Sequence, residues 1–349
     1  MFIPRFTITP AIASDIEAIG AVFGYFQAIQ LPEGYRKELV SKVTAETIHA
    51  STAIEGNTLT EKQVADVLRG KKIHAEDQDV KEVINYNHAL GYIEKLIKDK
   101  KKLVITEKLI KEINTIILKN LQDDTSGKYR TGSVRVGDYL PPEHRNVPVL
   151  MEAFINWIND PQPTHLSPIL YTGIAHYQFV AIHPFIDGNG RATRILTTLI
   201  LALSGYDLIS FFALESYYNR NRKAYYEALN SADKYRIDGE PDLTRWLEYY
   251  VRGMLIEAER AKSRIEELLE GSKQIVHKEW LSETQIKMLQ IIKEKGTVKT
   301  GDLLPISGLS EKGTYNTLQK LVEFGLIKKT GEHKGTQYAI TEKGLKYLK

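Results

Sequence analysis

The chain contains no cysteine among its 349 residues. Structural disulfides and cysteine-ligated metals are therefore excluded, and the composition suits a reducing cytoplasm. Net charge is almost absent too, at +3 with 47 basic against 44 acidic residues. So near a balance gives no global electrostatic attraction to nucleic acid. Long apolar runs are missing: the longest, Ile195 to Leu203, includes Thr197 and Thr198 and is too short to span a bilayer. Met1-Phe2-Ile3-Pro4-Arg5 lacks the charged and apolar regions of a secretory signal, so a soluble cytoplasmic protein is expected. Strand signals are scarce before Trp280. Helical patterning dominates from Asp15 to Leu269, with long helices expected over Asp77 to Ile97, Thr106 to Leu118 and Leu243 to Leu269. There is no internal repeat and no low-complexity tract. Outside one loop, His, Asp and Glu do not cluster at metal-ligand spacings.

That loop is His183-Pro184-Phe185-Ile186-Asp187-Gly188-Asn189-Gly190-Arg191-Ala192-Thr193-Arg194, set between two apolar segments with helical patterning, Pro168 to Ile182 and Ile195 to Leu203. A polar, glycine-flanked loop opening onto a helix N-terminus is an anion site, because free backbone N–H groups and the helix dipole both favour negative charge. Arg191 and Arg194 stand at i, i+3 and can meet the same anion. Asp187 is the only carboxylate, and beside phosphates a carboxylate suits Mg²⁺. His183 is the one group there able to take a proton near neutral pH. These parts point to a nucleoside triphosphate, a metal and a base.

The loop resembles the signature of the Fic family, HxFx(D/E)GN(G/K)RxxR, and matches every defined position. The resemblance implies an ATP- and Mg²⁺-dependent adenylyltransferase that moves AMP to a Ser, Thr or Tyr hydroxyl of a target protein. It implies His183 as general base and Asp187 as the Mg²⁺ ligand. Asn189, with the amides at Gly188 and Gly190, would cradle the α- and β-phosphates. Arg191 would stabilise phosphate charge, Arg194 would hold the γ-phosphate, and Phe185 would anchor the loop. The same fold also supports transfer of another phosphate-linked group, such as UMP or phosphocholine, with AMP as the default. A reading from a different class is a DNA-binding regulator whose core only senses nucleotide.

Upstream, Ser51-Thr52-Ala53-Ile54-Glu55-Gly56 resembles the family's inhibitory motif, (S/T)xxxE(G/N). Ser41 to Ile54 reads as a helix capped near Gly56, which puts Ser51 and Glu55 at i, i+4 on one face. The resemblance implies that Glu55 pairs with Arg194 and denies it to the γ-phosphate; in some relatives the same glutamate helps remove AMP.

Gly127 to Gly137 alternates β-formers between glycines and reads as a hairpin. By resemblance it is the target-binding flap, with Tyr129, Arg130, Thr131, Gly132, Ser133 and Val134 presenting an edge for strand addition. Val147 to Ile158 is expected as a core helix stopped by Pro161 and Pro163. Beyond the signature, Tyr218, Asn219 and Tyr226 are candidates to stack on and hydrogen-bond adenine.

The pattern changes near Gly271-Ser272, which is expected to end the preceding helix. Ser282 to Lys293 (Ser282 as N-cap), Val298 to Leu304 and Ser310 to Phe324 follow as helical elements. Leu326 to Lys329 and Thr336 to Ile340 then read as two strands. This order resembles a winged helix-turn-helix, which implies either DNA or protein as partner. Lys312, Thr314, Tyr315, Asn316, Lys320, Lys328, Lys329 and Lys334 would be its DNA contacts. The expected architecture is mainly α. It comprises an N-terminal helical region (1–100) with the inhibitory helix, a Fic-type catalytic core with a β-hairpin flap (101–270), and a winged helix-turn-helix domain (271–349). Self-modification and homodimerisation are further expectations.

Overall fold

A computed structural model describes residues 2–29, 31, 33–99, 103–160, 166–206, 211–232, 241–275, 281–331 and 335–348. Pro161, Pro163 and Lys334 lie outside the described residues. The chain forms two compact units, Met1–Ser263 and Arg264–Lys349.

The first unit is helical: α1 (Pro10–Ala28), α2 (Glu33–Ile54), α3 (Glu61–Leu68), α4 (Asp77–Lys98), α5 (Glu107–Ile117), α6 (Val147–Asn159), α7 (Pro168–Ile182), α8 (Asn189–Leu203), α9 (Leu214–Arg220) and α10 (Arg222–Ser231), with a 3₁₀ turn at His144–Asn146. The last helix, α11 (Thr244–Ile275), begins in this unit and runs past its boundary. Local chemistry explains the ends. Thr9, Thr60 and Thr106 accept backbone N–H groups at the starts of α1, α3 and α5, and Thr60 with Gln63 completes a capping box.

α7 and α8 are buried nearly all round, the pattern of helices inside a bundle. α11 closes on α7 through Trp246, whose Nε1 donates to the Gly173 carbonyl at 2.8 Å. A side chain at Gly173 would meet Tyr250 at 2.8 Å and Leu247 at 2.9 Å, so glycine permits that approach. His176, Tyr218, Tyr225, Trp246 and Tyr250 form one aromatic cluster behind the loop.

The expected flap hairpin is absent. Among residues 127–140 the pairing is a single antiparallel bridge, Val136 to Tyr139, around Gly137-Asp138. The reason lies in Arg130, which is buried. Its backbone N–H donates to the Pro184 carbonyl (2.9 Å), its Nε to the His183 carbonyl (2.8 Å) and its Nη1 to the Gly132 carbonyl (3.1 Å); Nη2 donates to the Pro142 carbonyl. Through Arg130 the segment is tied chiefly to the signature loop.

The second unit holds α12 (Glu283–Lys295), β1 (Thr297–Val298), α13 (Thr300–Ser307), α14 (Glu311–Glu323), β2 (Ile327–Thr330), β3 (Gln337–Ile340) and α15 (Glu342–Tyr347). Its antiparallel sheet has the order β1-β3-β2, with Val298 opposite Tyr338 and Lys329 opposite Tyr338 on the other side. Met288, Leu289, Ile292, Leu303, Leu318 and Leu321 pack over it. Ser282 and Gln285 make the capping box of α12. Two details differ from expectation. Gly271-Ser272 does not end α11, because one glycine inside a helix costs only about 1 kcal/mol and the flanking residues are good helix formers. The second element is split, a short strand and then a helix from Thr300.

Candidate active site

The loop from His183 to Gly188 is bracketed by two left-handed residues. His183 ends α7 at φ 51°, ψ 60°, and Gly188 opens α8 at φ 78°. At Gly188 glycine is required twice over: the backbone is left-handed, and a Cβ would meet Asn114 Nδ2 at 2.9 Å. Phe185 is fully buried and packs against Tyr129 and Phe179. The free first-turn amides of α8 face outward from this bracket, as in any helix start.

His183 Nδ1 lies 3.2 Å from the Val180 carbonyl. A carbonyl accepts only, so Nδ1 carries the proton and Nε2 is left as the acceptor in the neutral ring. Burial holds the imidazole below its ordinary pKa; the Val180 bond and the carboxylates of Glu55 and Asp187 oppose that only in part. The ring lines a cavity of about 460 Å³ with Val136, Tyr139, Tyr177, Tyr226 and Asn230.

Asp187 accepts from the Gly188 N–H (2.5 Å), from Gln122 Nε2 (3.1 Å) and from Arg191 Nη2 (3.3 Å to each oxygen). Its backbone carbonyl accepts from Asn114 Nδ2 at 3.0 Å, while Asn114 Oδ1 accepts the Gly127 N–H at 2.9 Å. Asn114 therefore ties the loop to the start of the 127–140 segment. Arg191 is buried between Asp187 and Glu82 (3.5 Å), and its Nε and Nη1 have no hydrogen-bond partner in the protein. Donors left unmatched under burial are costly, and an anion would match them.

Arg194 is the most enclosed of the charged groups. Nε donates to Ser51 Oγ at 2.7 Å, and Nη2 donates to the Ser51 carbonyl at 2.9 Å and to Glu55 Oε1 at 2.7 Å. Burial alone would weaken its positive charge, and Glu55 together with the hydroxyls of Tyr225 and Tyr86 more than offsets this. Gly56, at φ 104°, follows the end of α2 and turns the chain away. The Glu55 carboxylate sits directly over Gly190: a Cβ there would lie 2.2 Å from Glu55 Oε1. A carboxylate therefore covers the amides at the start of α8. Asn57, just after the turn, donates to Glu82 at 3.0 Å, which links the end of α2 to the neighbour of Arg191.

Six of the residues assigned from sequence take other places. The Asn189 side chain is not free to hold phosphate. Its Oδ1 accepts the Phe185 N–H and its Nδ2 donates to the Phe185 carbonyl, both at 2.9 Å, so it staples the loop. Tyr218 cannot stack on a base from solvent, since it is buried and stacked on Tyr225 at 4.4 Å. Asn219 sits apart from the His183 cavity and accepts from Arg222. Tyr226 does line that cavity, where the sequence reading missed Asn230. Tyr129 and Arg130 turn inward, so Thr131 and Ser133 are the exposed members of the expected edge. In the second unit Thr314 is fully buried and bonded to Ser307 at 2.8 Å, which removes it from any surface contact; Lys312, Tyr315, Asn316, Lys320, Lys328 and Lys329 are exposed.

The residues missed, Glu82 on α4, Asn114 on α5 and Gln122 in the turn after α5, hold the loop and its first arginine from outside. Asn114 had a signal, a polar residue on the apolar face of α5 beside Ile110, Ile113 and Ile117. Asn114→Ala is expected to loosen both Asp187 and Gly127. It should cost about 1–3 kcal/mol of stability in thermal unfolding and raise hydrogen exchange at 183–190. Unchanged exchange there would refute the tie.

A half-buried imidazole, a helix N-terminus with two arginines and one carboxylate define a phosphate-anchoring helical core with its own proton acceptor. Residues 104–201 match the model of the Fic/DOC family. It is 36% identical over 165 residues to the protein adenylyltransferase Fic of Drosophila mojavensis, covering 46% of this chain and 32% of that protein. It is 31% identical over 197 residues to that of Drosophila melanogaster, covering 55% and 39%. The chain thus spans about a third of the length of the curated relatives it matches. A Fic family protein from Desulfovibrio desulfuricans G20 superposes with TM-score 0.68 at 26% identity, covering 98% of this chain and 99% of that one. A Fic domain containing signaling protein from Bacteroides thetaiotaomicron superposes with TM-score 0.58 at 26% identity, covering 71% and 98%. Among the described residues no helix is long and apolar enough to cross a membrane.

Proposed function

We propose that the chain is a protein adenylyltransferase held in check by its own α2. The observation that carries the reading is His183. With Nδ1 fixed on Val180, its Nε2 is an unprotonated acceptor facing a cavity beside an anion-binding helix start. In the proposed step a target hydroxyl oxygen attacks the α-phosphorus of ATP as its proton passes to His183 Nε2. The bond to the bridging oxygen breaks and pyrophosphate leaves. The first-turn amides at Asn189 and Gly190 and the unmatched donors of Arg191 stabilise the phosphate charge, the usual source of phosphoryl-transfer catalysis. Tyr226 and Asn230 line the side of the cavity that suits a base.

Asp187 fits Mg²⁺ as a single hard carboxylate of intermediate exposure. Among the described residues no group of three or more His, Asp or Glu could hold a metal alone, which fits an ion carried mainly by the triphosphate. When bound, Mg²⁺ would neutralise phosphate charge. Asp187 would then exchange its contact with Arg191 for the ion.

The test is intact mass after incubation with ATP and Mg²⁺. One or more added adenylyl groups, on the chain itself or a supplied substrate protein, supports the reading. A different adduct mass points to another group, and none in any variant refutes it.

For the second unit, the helix, strand and sheet order supports a winged helix, and the exposed Lys312, Lys320, Lys328 and Lys329 favour a phosphate backbone as its partner. Binding of the full chain to random duplex should then weaken as salt rises, with a log–log slope of roughly −3 to −4 for about four phosphate contacts. A flat salt response would favour a protein partner.

A further inference from the structure

Arg191 stands between two carboxylates that are held in different ways. Asp187 belongs to the loop itself; its side chain is 40% exposed and each oxygen lies 3.3 Å from Nη2. Glu82 comes from α4; its side chain is 11% exposed and Oε1 lies 3.5 Å from Nη1. Arg191 is the only cation paired with Glu82 among the described residues. At that distance Glu82 supplies charge without taking the Nη1 hydrogen, which has no hydrogen-bond partner. A guanidinium this deeply buried needs a counter-charge, because an isolated charge out of water costs far more than an unmatched neutral donor.

Glu82 is also tethered from behind. Its Oε2 accepts from Asn57 Nδ2 at 3.0 Å, and its Oε1 accepts from Gln78 Nε2 at 3.5 Å. Asn57 is buried and fixed in turn by three further bonds. Its N–H donates to the Thr52 carbonyl of α2 (3.1 Å), Nδ2 donates to the Asp79 carbonyl of α4 (3.0 Å), and Oδ1 accepts the Leu59 N–H (3.1 Å). Both arginines of the loop are therefore reached from the end of α2. Ser51 and Glu55 meet Arg194 directly, and Asn57 reaches Arg191 through Glu82.

We propose that Glu82 is a positioning residue: the standing counter-ion of Arg191, which keeps the guanidinium at the start of α8 while the more exposed Asp187 is free to leave it. The consequence for transfer rests on the reading given under Proposed function. There Asp187 turns from Arg191 to Mg²⁺, and Glu82 leaves Arg191 with a counter-charge when it does. Without the charge of Glu82, Arg191 would grip Asp187 harder, and Asp187 would pass to the metal less readily.

The test has two arms on the full chain, the first without nucleotide or metal. In urea unfolding, Glu82→Gln, which keeps the shape and an acceptor for Asn57, should raise the unfolding equilibrium constant roughly tenfold, the lower end for a contact between charged groups. In an Arg191→Gln background Glu82 would be a buried carboxylate with no counter-ion, so the same change should cost nothing or stabilise. An equal cost in both backgrounds would make Glu82 a support of Asn57 alone and overturn the proposal. The second arm measures transfer in Glu55→Gly. Adding Glu82→Gln should raise the Mg²⁺ concentration for half-maximal rate by roughly tenfold, on the same basis, while KM for ATP at saturating Mg²⁺ stays close to that of the parent. An unchanged Mg²⁺ requirement in an active parent would also overturn it. If Glu82→Gln does not fold, Glu82→Asp, whose shorter arm withdraws the charge from Arg191, takes its place in both arms. A Glu55→Gly parent with no transfer at all would count against the transferase reading, and the unfolding cycle would still decide whether Glu82 holds Arg191.

Discussion

Glu55→Gly is expected to raise adenylyl transfer, including self-labelling, by roughly ten- to hundredfold. The estimate comes from the one charge-assisted bond that competes with phosphate, worth about 1.5–3 kcal/mol. The geometry makes the competition direct. Glu55 Oε1 is 2.7 Å from Arg194 Nη2 and lies over Gly190, so it covers both the arginine fork and the helix start an anion would use. The variant should also be less stable without nucleotide, by about 1–3 kcal/mol, because a guanidinium 1% exposed loses its only ion-pair partner among the described residues. ATP should then raise its melting temperature more than it raises that of the wild type. Intact-mass time courses and thermal unfolding with and without ATP check both parts. Equal labelling of the two proteins would sink the inhibitory role. A chase of pre-labelled protein separates the alternative role: if Glu55 supports AMP removal, the glycine variant keeps a label the wild type loses.

Much of this arrangement was legible in the sequence, for physical reasons. Pro168 at a helix start, a buried apolar run, and Gly188 before a second run fix α7, the loop and α8 almost uniquely. The i, i+4 spacing of Ser51 and Glu55 becomes one contact surface for Arg194 because α2 is regular over that turn. What was not legible has equally definite causes. An asparagine between two glycines can cradle an anion or staple its own loop, and composition does not choose; Asn189 staples. Tyr218 and Tyr226 look equivalent on a continuous helix. The chain breaks at Asn221, which caps α10, and the break turns one ring into the core and the other toward His183. Arg130 sits among β-formers, so the segment reads as a hairpin. Its four bonds to the loop and neighbouring carbonyls run across as many as 54 residues of sequence, beyond any local pattern. Asn114 and Gln122 act on Asp187 from 73 and 65 residues away, for the same reason.

His183→Ala should lower transfer by roughly 10²- to 10⁴-fold, the usual worth of a positioned general base, while nucleotide affinity stays close to that of the wild type. The arginines and helix amides that hold phosphate come from α8, and the imidazole contributes only to the wall of the cavity. The pH profile gives a sharper check. Only the neutral ring can accept the proton, and burial has moved its pKa below the ordinary 6.5. Activity of Glu55→Gly should therefore hold level down through pH 7 and fall only on the acid side of 6.5. An acid limb centred above 6.5 would contradict the half-buried, Val180-bonded imidazole. Stability moves in the same direction. A histidine kept neutral in the fold and protonated in the unfolded chain contributes stability that is fully present above pH 6.5. That contribution is lost as pH falls from there toward the lowered folded value. His183→Ala should thus flatten part of the acid loss in unfolding free energy as it removes the base. If instead the variant lost nucleotide binding along with transfer, His183 would be a structural support of the loop and the assignment of the proton acceptor would move elsewhere.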